Sequence, residues 1–187
     1  MPSSSLVSNF VSAKSYSVSP FITNSWSNPS NALLSDAAYT SNGGANTYTY
    51  LLGMRELSGY LNIPDSATIT GFEIIIIMGT VNNPQNANIT GYFNLVKATD
   101  SRVGTQKTQS IPVGSGSYTI GASNDMWGTT WTVAEVKNTG FGVDVGFNYT
   151  NTFSVSVEQV YATVYYSYPD SNGRRAVFST AAELRTV

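Results

Sequence analysis

The chain has 187 residues, of which 41% are hydrophobic and only 11% are charged, and its formal net charge is −2. It contains neither histidine nor cysteine, which excludes disulfides, thiolate metal sites and histidine-based nucleophile systems. The weak net charge creates no field that would attract nucleic acid or an anionic membrane, so we expect neither as a partner. Residues 1–5 lack the pattern of a signal peptide, so we expect synthesis in the cytoplasm.

Residues 1–20 are rich in serine but carry spaced apolar residues, among them Phe10 and Val11. A disordered tail would carry fewer apolar residues and more charge. We therefore predict an N-terminal arm or edge strand here. It docks either on its own domain or on a neighbouring subunit, which makes Phe10 and Val11 candidate docking residues.

The pattern of strands and turns in residues 21–168 predicts one β-sandwich domain. A helical turn is expected after Pro29 within a turn-rich loop. Alternating or β-branched residues predict strands at 47–52, 56–63, 67–78, 89–97, 141–149 and 153–168. Gly53 is expected to break the first two of these strands apart. Only strand-like fragments are expected between residues 107 and 121.

Three local signals refine this prediction. In the strand 141–149, Phe141 starts an inward row, whereas Asp144 lies in the alternate row that faces the other way. The phase of the last strand slips near 158–159, which predicts a β-bulge. Thr132 and Glu135 match a capping box, which predicts one short helical turn.

Residues 169–187 predict a C-terminal arm with four further candidate docking residues: Arg174, Arg175, Phe178 and Arg185. The predicted fold class is therefore all-β, an antiparallel β-sandwich or jelly roll with one short helical turn and extended N- and C-terminal arms.

Carboxylates are the remaining candidates for acid–base chemistry, and five of them lie in or beside ordered segments: Asp36, Glu73, Asp125, Asp144 and Glu158. A glycosidase needs two about 5–10 Å apart, and nothing in the spacing pairs them. We expect them on solvated strand faces, in turns or at caps. Calcium could bind near 124–125 or 170–172, but no alternating ligand pattern is present. We predict no enzyme activity, no catalytic residue, no metal and no cofactor.

Six short motifs occur in one order along residues 21–168: Trp26–Ala32, Ile63–Pro64, Ala67–Phe72, Asp125–Gly128 with Trp131–Thr132, Phe141–Val143, and Val160–Tyr166. In this series the chain resembles a β-sandwich module of tailed-phage and prophage virion proteins. The resemblance implies that Trp26, Trp127, Trp131 and Phe141 are core residues of the architecture. Glu158 departs from the pattern, in which an aspartate usually precedes the last strand.

The resemblance implies a structural protein on the exterior of a phage virion. We predict a capsid decoration or cement protein, a trimer whose arms bind the major capsid protein or other virion proteins. The alternative is a tail or head-fibre module that binds a host-surface glycan. The 12 tyrosines and 3 tryptophans favour that alternative if some of their rings are exposed, because such rings stack on sugars.

Overall fold

The computed structural model describes residues 3–21, 25–33, 38–42, 47–57, 62–98, 101–149 and 151–168. These residues form ten strands and two short helical segments. The strands are β1 (Ser3–Tyr16), β2 (Ala38–Asn42), β3 (Thr47–Tyr48), β4 (Leu51–Leu57), β5 (Thr68–Asn82), β6 (Ile89–Lys97), β7 (Ser101–Ile111), β8 (Gly114–Ala122), β9 (Gly142–Tyr149) and β10 (Phe153–Ser167). A 3₁₀ helix spans Pro29–Leu33, and helix α1 spans Val133–Val136.

The strands pair antiparallel in the order β7-β6-β9-β4-β1-β10-β5-β8. Strands β8, β5 and β10, with β2 and the first half of β1, form sheet 1. The second half of β1, with β4, β9, β6 and β7, forms sheet 2, and β3 pairs with the end of β9. The predicted fold class, an all-β antiparallel sandwich, is confirmed.

Strand β1 belongs to both sheets. Its residues 3–9 pair with β10, and its residues 10–16 pair with β4. The segment predicted as an arm or edge strand is therefore an interior strand of the sandwich. The sheet needs it there, because β4 and β10 would otherwise present unpaired backbone groups to solvent.

The core lies between the inner faces of the two sheets. Strands β5 and β10 supply sheet 1 with Phe72, Ile74, Ile76, Val160, Ala162 and Val164, all fully buried. Sheet 2 contributes Leu52, Met54, Phe93, Leu95, Val143, Val145 and Phe147 to the core. Their spacing of two residues along each strand is what places them on one face.

Two local predictions are confirmed. The Oγ1 of Thr132 accepts the backbone N–H of Glu135, and the Glu135 carboxylate accepts the N–H of Thr132, so both halves of the capping box are made. The register of β10 against β5 shifts between Ser156 and Gln159, where the bulge was predicted.

Two other strand predictions need correction. Gly53 does not interrupt a strand, because β4 continues through it, and the missing side chain leaves room for the ring of Tyr16. Residues 101–122 form two full strands, β7 and β8, although their composition is rich in glycine and serine. Cross-strand pairing with β6 and β5 outweighs their weak β propensity.

Two glycines of β8 give a matched test of the packing. Gly114 (φ +107°) and Gly121 (φ +102°) both adopt a backbone conformation that other residues rarely adopt. A Cβ at Gly121 would lie 2.1 Å from the carbonyl oxygen of Phe72, whereas no described atom lies within 4 Å of a Cβ at Gly114. We expect Gly114→Ala to lower the free energy of unfolding by about 1–2 kcal/mol through backbone strain.

Gly121→Ala should lower the free energy of unfolding by about 1–3 kcal/mol more than Gly114→Ala does, because the backbone of β5 or β8 must also move. Urea denaturation of the two variants measures the difference. Equal losses of stability would show that the close contact between Gly121 and the Phe72 carbonyl oxygen does not limit the size of residue 121.

Candidate functional site

The outer face of sheet 2 is the surface of that sheet that points away from the core. The strand register places Tyr92 opposite Gly146, Asn94 opposite Asp144 and Val96 opposite Gly142 on this face. On the other side of β9, Gly53 lies opposite Asp144 and Arg55 opposite Gly142. Strand β1 adds Ser12, Lys14 and Tyr16, which are opposite Arg55, Gly53 and Leu51.

An ion pair between Arg55 and Asp144 occupies the middle of this face. Nη2 of Arg55 lies 2.7 Å from Oδ1 of Asp144, and the two side chains are 7% and 0% exposed. Nη2 also donates to the hydroxyl oxygen of Tyr16 at 3.0 Å, and that hydroxyl donates to Oδ2 of Asp144. Nη1 donates to the carbonyl oxygens of Met54 and Val143. Both carboxylate oxygens are thus satisfied, as a buried charge requires.

The environment shifts the acid–base properties of two members of this network. Burial raises the pKa of Asp144, although the charges of Arg55 and Arg102 and the hydrogen bonds from Tyr16 and Arg55 act to lower it. Burial also raises the pKa of the Tyr16 phenol, and the Asp144 carboxylate beside it adds to the increase. The phenol therefore stays protonated and continues to donate at neutral pH.

Glycines create the space for this network. A Cβ on Gly53 would lie 2.7 Å from the ring of Tyr16, and one on Gly146 would lie 2.5 Å from the ring of Phe21. A Cβ on Gly142 would lie 1.8 Å from the carbonyl oxygen of Met54 and 3.0 Å from Cδ of Arg55. The sequence predicts Asp144 on a solvated strand face. That prediction is wrong, because Asp144 is 0% exposed, and side chains from β1, β4 and the 18–21 turn lie over Gly53, Gly142 and Gly146.

An aromatic cluster lies beside the ion pair on the same face. The ring centroids of Phe21, Tyr48 and Tyr92 are 5.0 Å (Phe21–Tyr48), 5.6 Å (Phe21–Tyr92) and 5.5 Å (Tyr48–Tyr92) apart. Phe21 is buried, whereas both tyrosines are half-buried. Because Tyr92 and Asn94 are two residues apart on β6, the cluster begins about 7 Å from the ion pair. Two half-buried tyrosine rings thus lie beside the buried ion pair.

Asn94, opposite Asp144, has a side-chain donor that forms no hydrogen bond with the described residues. Its side chain is 93% buried, yet Nδ2 has no hydrogen-bond partner among the described residues. No residue of β7 is paired with Asn94, because Phe93 pairs with Lys107 but Leu95 pairs with Val103. The intervening residues of β7 bulge away, and the N–H of Thr105 donates to the carbonyl oxygen of Trp127. No sequence signal identified Asn94.

The four residues predicted as architectural are buried and fall into two groups. Trp131 and Phe141 pack with Phe72, with ring centroids 5.0–5.7 Å apart. Trp127 is fully buried beside them and donates from Nε1 to the carbonyl oxygen of Phe72 at 3.2 Å. Trp26 lies apart from this group, against Phe147, and donates to the carbonyl oxygen of Tyr50 at 2.8 Å.

The predicted docking residues are not brought together. Phe10 is 3% exposed and belongs to the protein's own core, so it cannot anchor a partner as predicted. Its neighbour Val11 is 51% exposed, and one exposed valine is ordinary for a protein surface. The remaining four, Arg174, Arg175, Phe178 and Arg185, lie outside the described residues.

The other carboxylates have structural partners or lie apart from this face. Asp125, considered for calcium, accepts the N–H of Trp127 and pairs with Lys107 at 2.6 Å. Glu73 accepts the hydroxyl of Tyr165 at 2.8 Å on sheet 1. Glu158 is half-buried at the bulge of β10, and Asp36 and residues 170–172 lie outside the described residues.

Neither a metal cluster nor a membrane-spanning helix is found in the part of the chain that the structure describes. No three His, Cys, Asp or Glu side chains in that part are grouped so that they could hold an ion. No helix in that part is long and apolar enough to cross a bilayer.

Comparison with known proteins finds no matching family model and no matching curated protein. Three solved structures resemble the fold at low identity. A CBM4 structure has a TM-score of 0.41 and 8% identity, over 67% of this chain and 82% of that one. A CBM1 of BiXyn10A has a TM-score of 0.42 and 8% identity, over 84% and 90% of the two chains.

The third is the enzymatically active domain of tailspike protein 4 from bacteriophage CBA120, with a TM-score of 0.41 and 11% identity. It covers 84% of this chain, which spans 19% of that longer one. Because all three TM-scores lie below 0.5, we take nothing about function from these likenesses.

Proposed function

We propose that this protein is a glycan-binding module and that the outer face of sheet 2 is its binding surface. The observation that carries the proposal is the combination on one face of half-buried tyrosine rings and a buried amide donor without a partner. The rings are those of Tyr16, Tyr48 and Tyr92, and the donor is Nδ2 of Asn94.

Sugars present two kinds of surface, and this face matches both. Their C–H faces pack on aromatic rings, and their hydroxyls need hydrogen-bond partners in fixed positions. The half-buried tyrosines supply the first, and Asn94 supplies an unused donor for the second. The Arg55–Asp144 network holds Tyr16 in place beneath such a ligand, because the Tyr16 hydroxyl bonds both charged groups.

We propose a binding role and not a catalytic one. Asp144 is 0% exposed, and its oxygens accept hydrogen bonds from Arg55 and Tyr16, so its carboxylate is not presented to a substrate on this face. The position on a phage virion stays a prediction. On a virion, the outer face of sheet 2 would bind a glycan of the host surface. The capsid decoration role, the first of the two functions predicted from the sequence, also stays a prediction, and Phe10, one of its candidate docking residues, is buried.

A glycan array followed by calorimetry tests the proposal. We expect the wild-type protein to bind a defined set of glycans and Tyr92→Ala to weaken that binding at least about tenfold, the loss typical of an aromatic contact at the centre of an interface. Tyr165→Ala is the matched control, because Tyr165 is a half-buried tyrosine on the outer face of the opposite sheet. It should leave affinity unchanged.

Two results would contradict the proposal. One is the absence of glycan binding by the folded wild-type protein. The other is equal weakening by Tyr92→Ala and Tyr165→Ala, which would mean that sheet 2 holds no specific site. Circular dichroism of each variant separates loss of binding from loss of folding.

A further inference from the structure

The charged groups on the outer face of sheet 2 are mostly cationic. Arg102 on β7 lies opposite Val96, one pleat along β6 from Asn94, and is half-buried. Lys14 lies on the same face, with its ammonium 5.1 Å from the ring centroid of Tyr16. Arg55 and Asp144 neutralise one another as an ion pair. Beside that pair, Arg102 and Lys14 are the cations that the described residues place on this face, in a chain whose formal net charge is −2.

Among the described residues, Arg102 forms no ion pair with a carboxylate, and the four pairs found there involve Arg55, Lys97, Lys107 and Lys137. Its charge does reach the middle of the face, because it acts on the Asp144 carboxylate. A guanidinium with unused donors is suited to a planar anion, which it can bind through two parallel hydrogen bonds.

Asn94 points to the same chemistry. Its Nδ2 is a donor, so a ligand atom that satisfies it must be an acceptor. No hydrogen bond joins Nδ2 to the Asp144 carboxylate, although Asn94 and Asp144 are directly opposite one another. Nδ2 exposes less than 1 Å² to solvent, so an acceptor from outside the protein reaches it only when the side chains that cover it move aside.

We infer that the ligand of this face is an acidic glycan, a sugar that carries a carboxylate, and that Arg102 and Asn94 bind this carboxylate. The inference rests on the proposed glycan-binding function and specifies its ligand class. The half-buried tyrosines contact the sugar rings, and Lys14 adds long-range attraction. Affinity for an acidic glycan therefore falls as salt concentration rises.

The experiment compares acidic and neutral members of a glycan array and then one matched pair by calorimetry. The pair is the tightest-binding carboxylated oligosaccharide and the same oligosaccharide with its carboxyl groups reduced to hydroxymethyl groups. We expect the reduced sugar to bind about 10- to 100-fold more weakly, the change that a charge-assisted hydrogen bond gives. Arg102→Ala should weaken the acidic sugar by a similar factor and leave the reduced sugar unaffected.

Lys137→Ala is the control for charge alone. It removes one positive charge from a surface pair with Asp65, away from the sheet 2 ladder, and should not alter either affinity. Equal binding of the two sugars, with no effect of Arg102→Ala, would overturn the acidic-ligand inference and keep the proposed glycan binding. A folded protein that binds neither acidic nor neutral glycans would overturn both.

Discussion

Asp144→Ala is expected to lower the free energy of unfolding by about 3–5 kcal/mol, the cost of removing one partner of a buried ion pair. The loss is large because Arg55 is 7% exposed and its guanidinium cannot give up its proton. Without Asp144 the guanidinium charge would stay buried without its carboxylate, although Tyr16 and two carbonyl oxygens still accept hydrogen bonds from it. Urea denaturation measured by intrinsic fluorescence gives the value.

The surface pair Lys137–Asp65 is the matched control. Its contact distance is 2.6 Å, against 2.7 Å for Arg55–Asp144, but the Asp65 side chain is 91% exposed. Asp65→Ala should therefore cost less than about 1 kcal/mol. Replacement of both Arg55 and Asp144 by apolar residues should recover much of the loss, because no charge then stays buried. A cost below 1 kcal/mol for Asp144→Ala would contradict the buried network described here.

Trp127→Ala is expected to have an effect of similar size, a loss of about 3–5 kcal/mol. The indole is fully buried, and Nε1 donates to the carbonyl oxygen of Phe72. Lys107 covers the ring at 5.2 Å from its centroid. The backbone of Trp127 has φ +56°, a conformation that costs a residue other than glycine about 1–2 kcal/mol. Packing of the indole must more than offset this strain.

Trp127→Phe separates the contributions of ring packing and hydrogen bonding. It keeps an aromatic ring in the site but loses the Nε1–H, so it should lose clearly less stability than the alanine variant. Thermal and urea denaturation of the two variants give the comparison. If the free energies of unfolding of Trp127→Ala and the wild type differed by less than about 1 kcal/mol, the stability of this end of the sandwich would not depend on the Trp127 side chain.

Local sequence signals predicted the local parts of the fold. The alternation of residues 141–149 predicted a strand, Thr132 and Glu135 predicted α1, and the phase slip near 158–159 predicted the bulge of β10. The place of β1 could not be read in this way. Its partners, β10 and β4, lie 35 or more residues away along the chain, and alternation alone does not tell an interior strand from an edge strand.

The candidate site was harder to predict, because it is formed almost entirely by long-range contacts. Tyr16 and Asp144 are 128 positions apart, and Arg55 and Asp144 are 89 apart. One signal was available in the sequence, since Gly142 and Gly146 flank Asp144 on the same face of β9. An acidic residue between two such glycines leaves room for side chains from elsewhere to cover it. The unused donor of Asn94 lies beside the register shift of β6 against β7, and neither feature has a signal in the sequence.

Chemical-shift mapping tests the central claim most directly, that the outer face of sheet 2 binds glycans. A titration of the isotope-labelled protein with the tightest-binding array glycan should shift the backbone amides of Tyr92, Asn94, Arg102 and Asp144. The amides of Glu73 and Tyr165 on the outer face of sheet 1 should not move. Shifts confined to sheet 1, or none at a saturating glycan concentration, would contradict the claim.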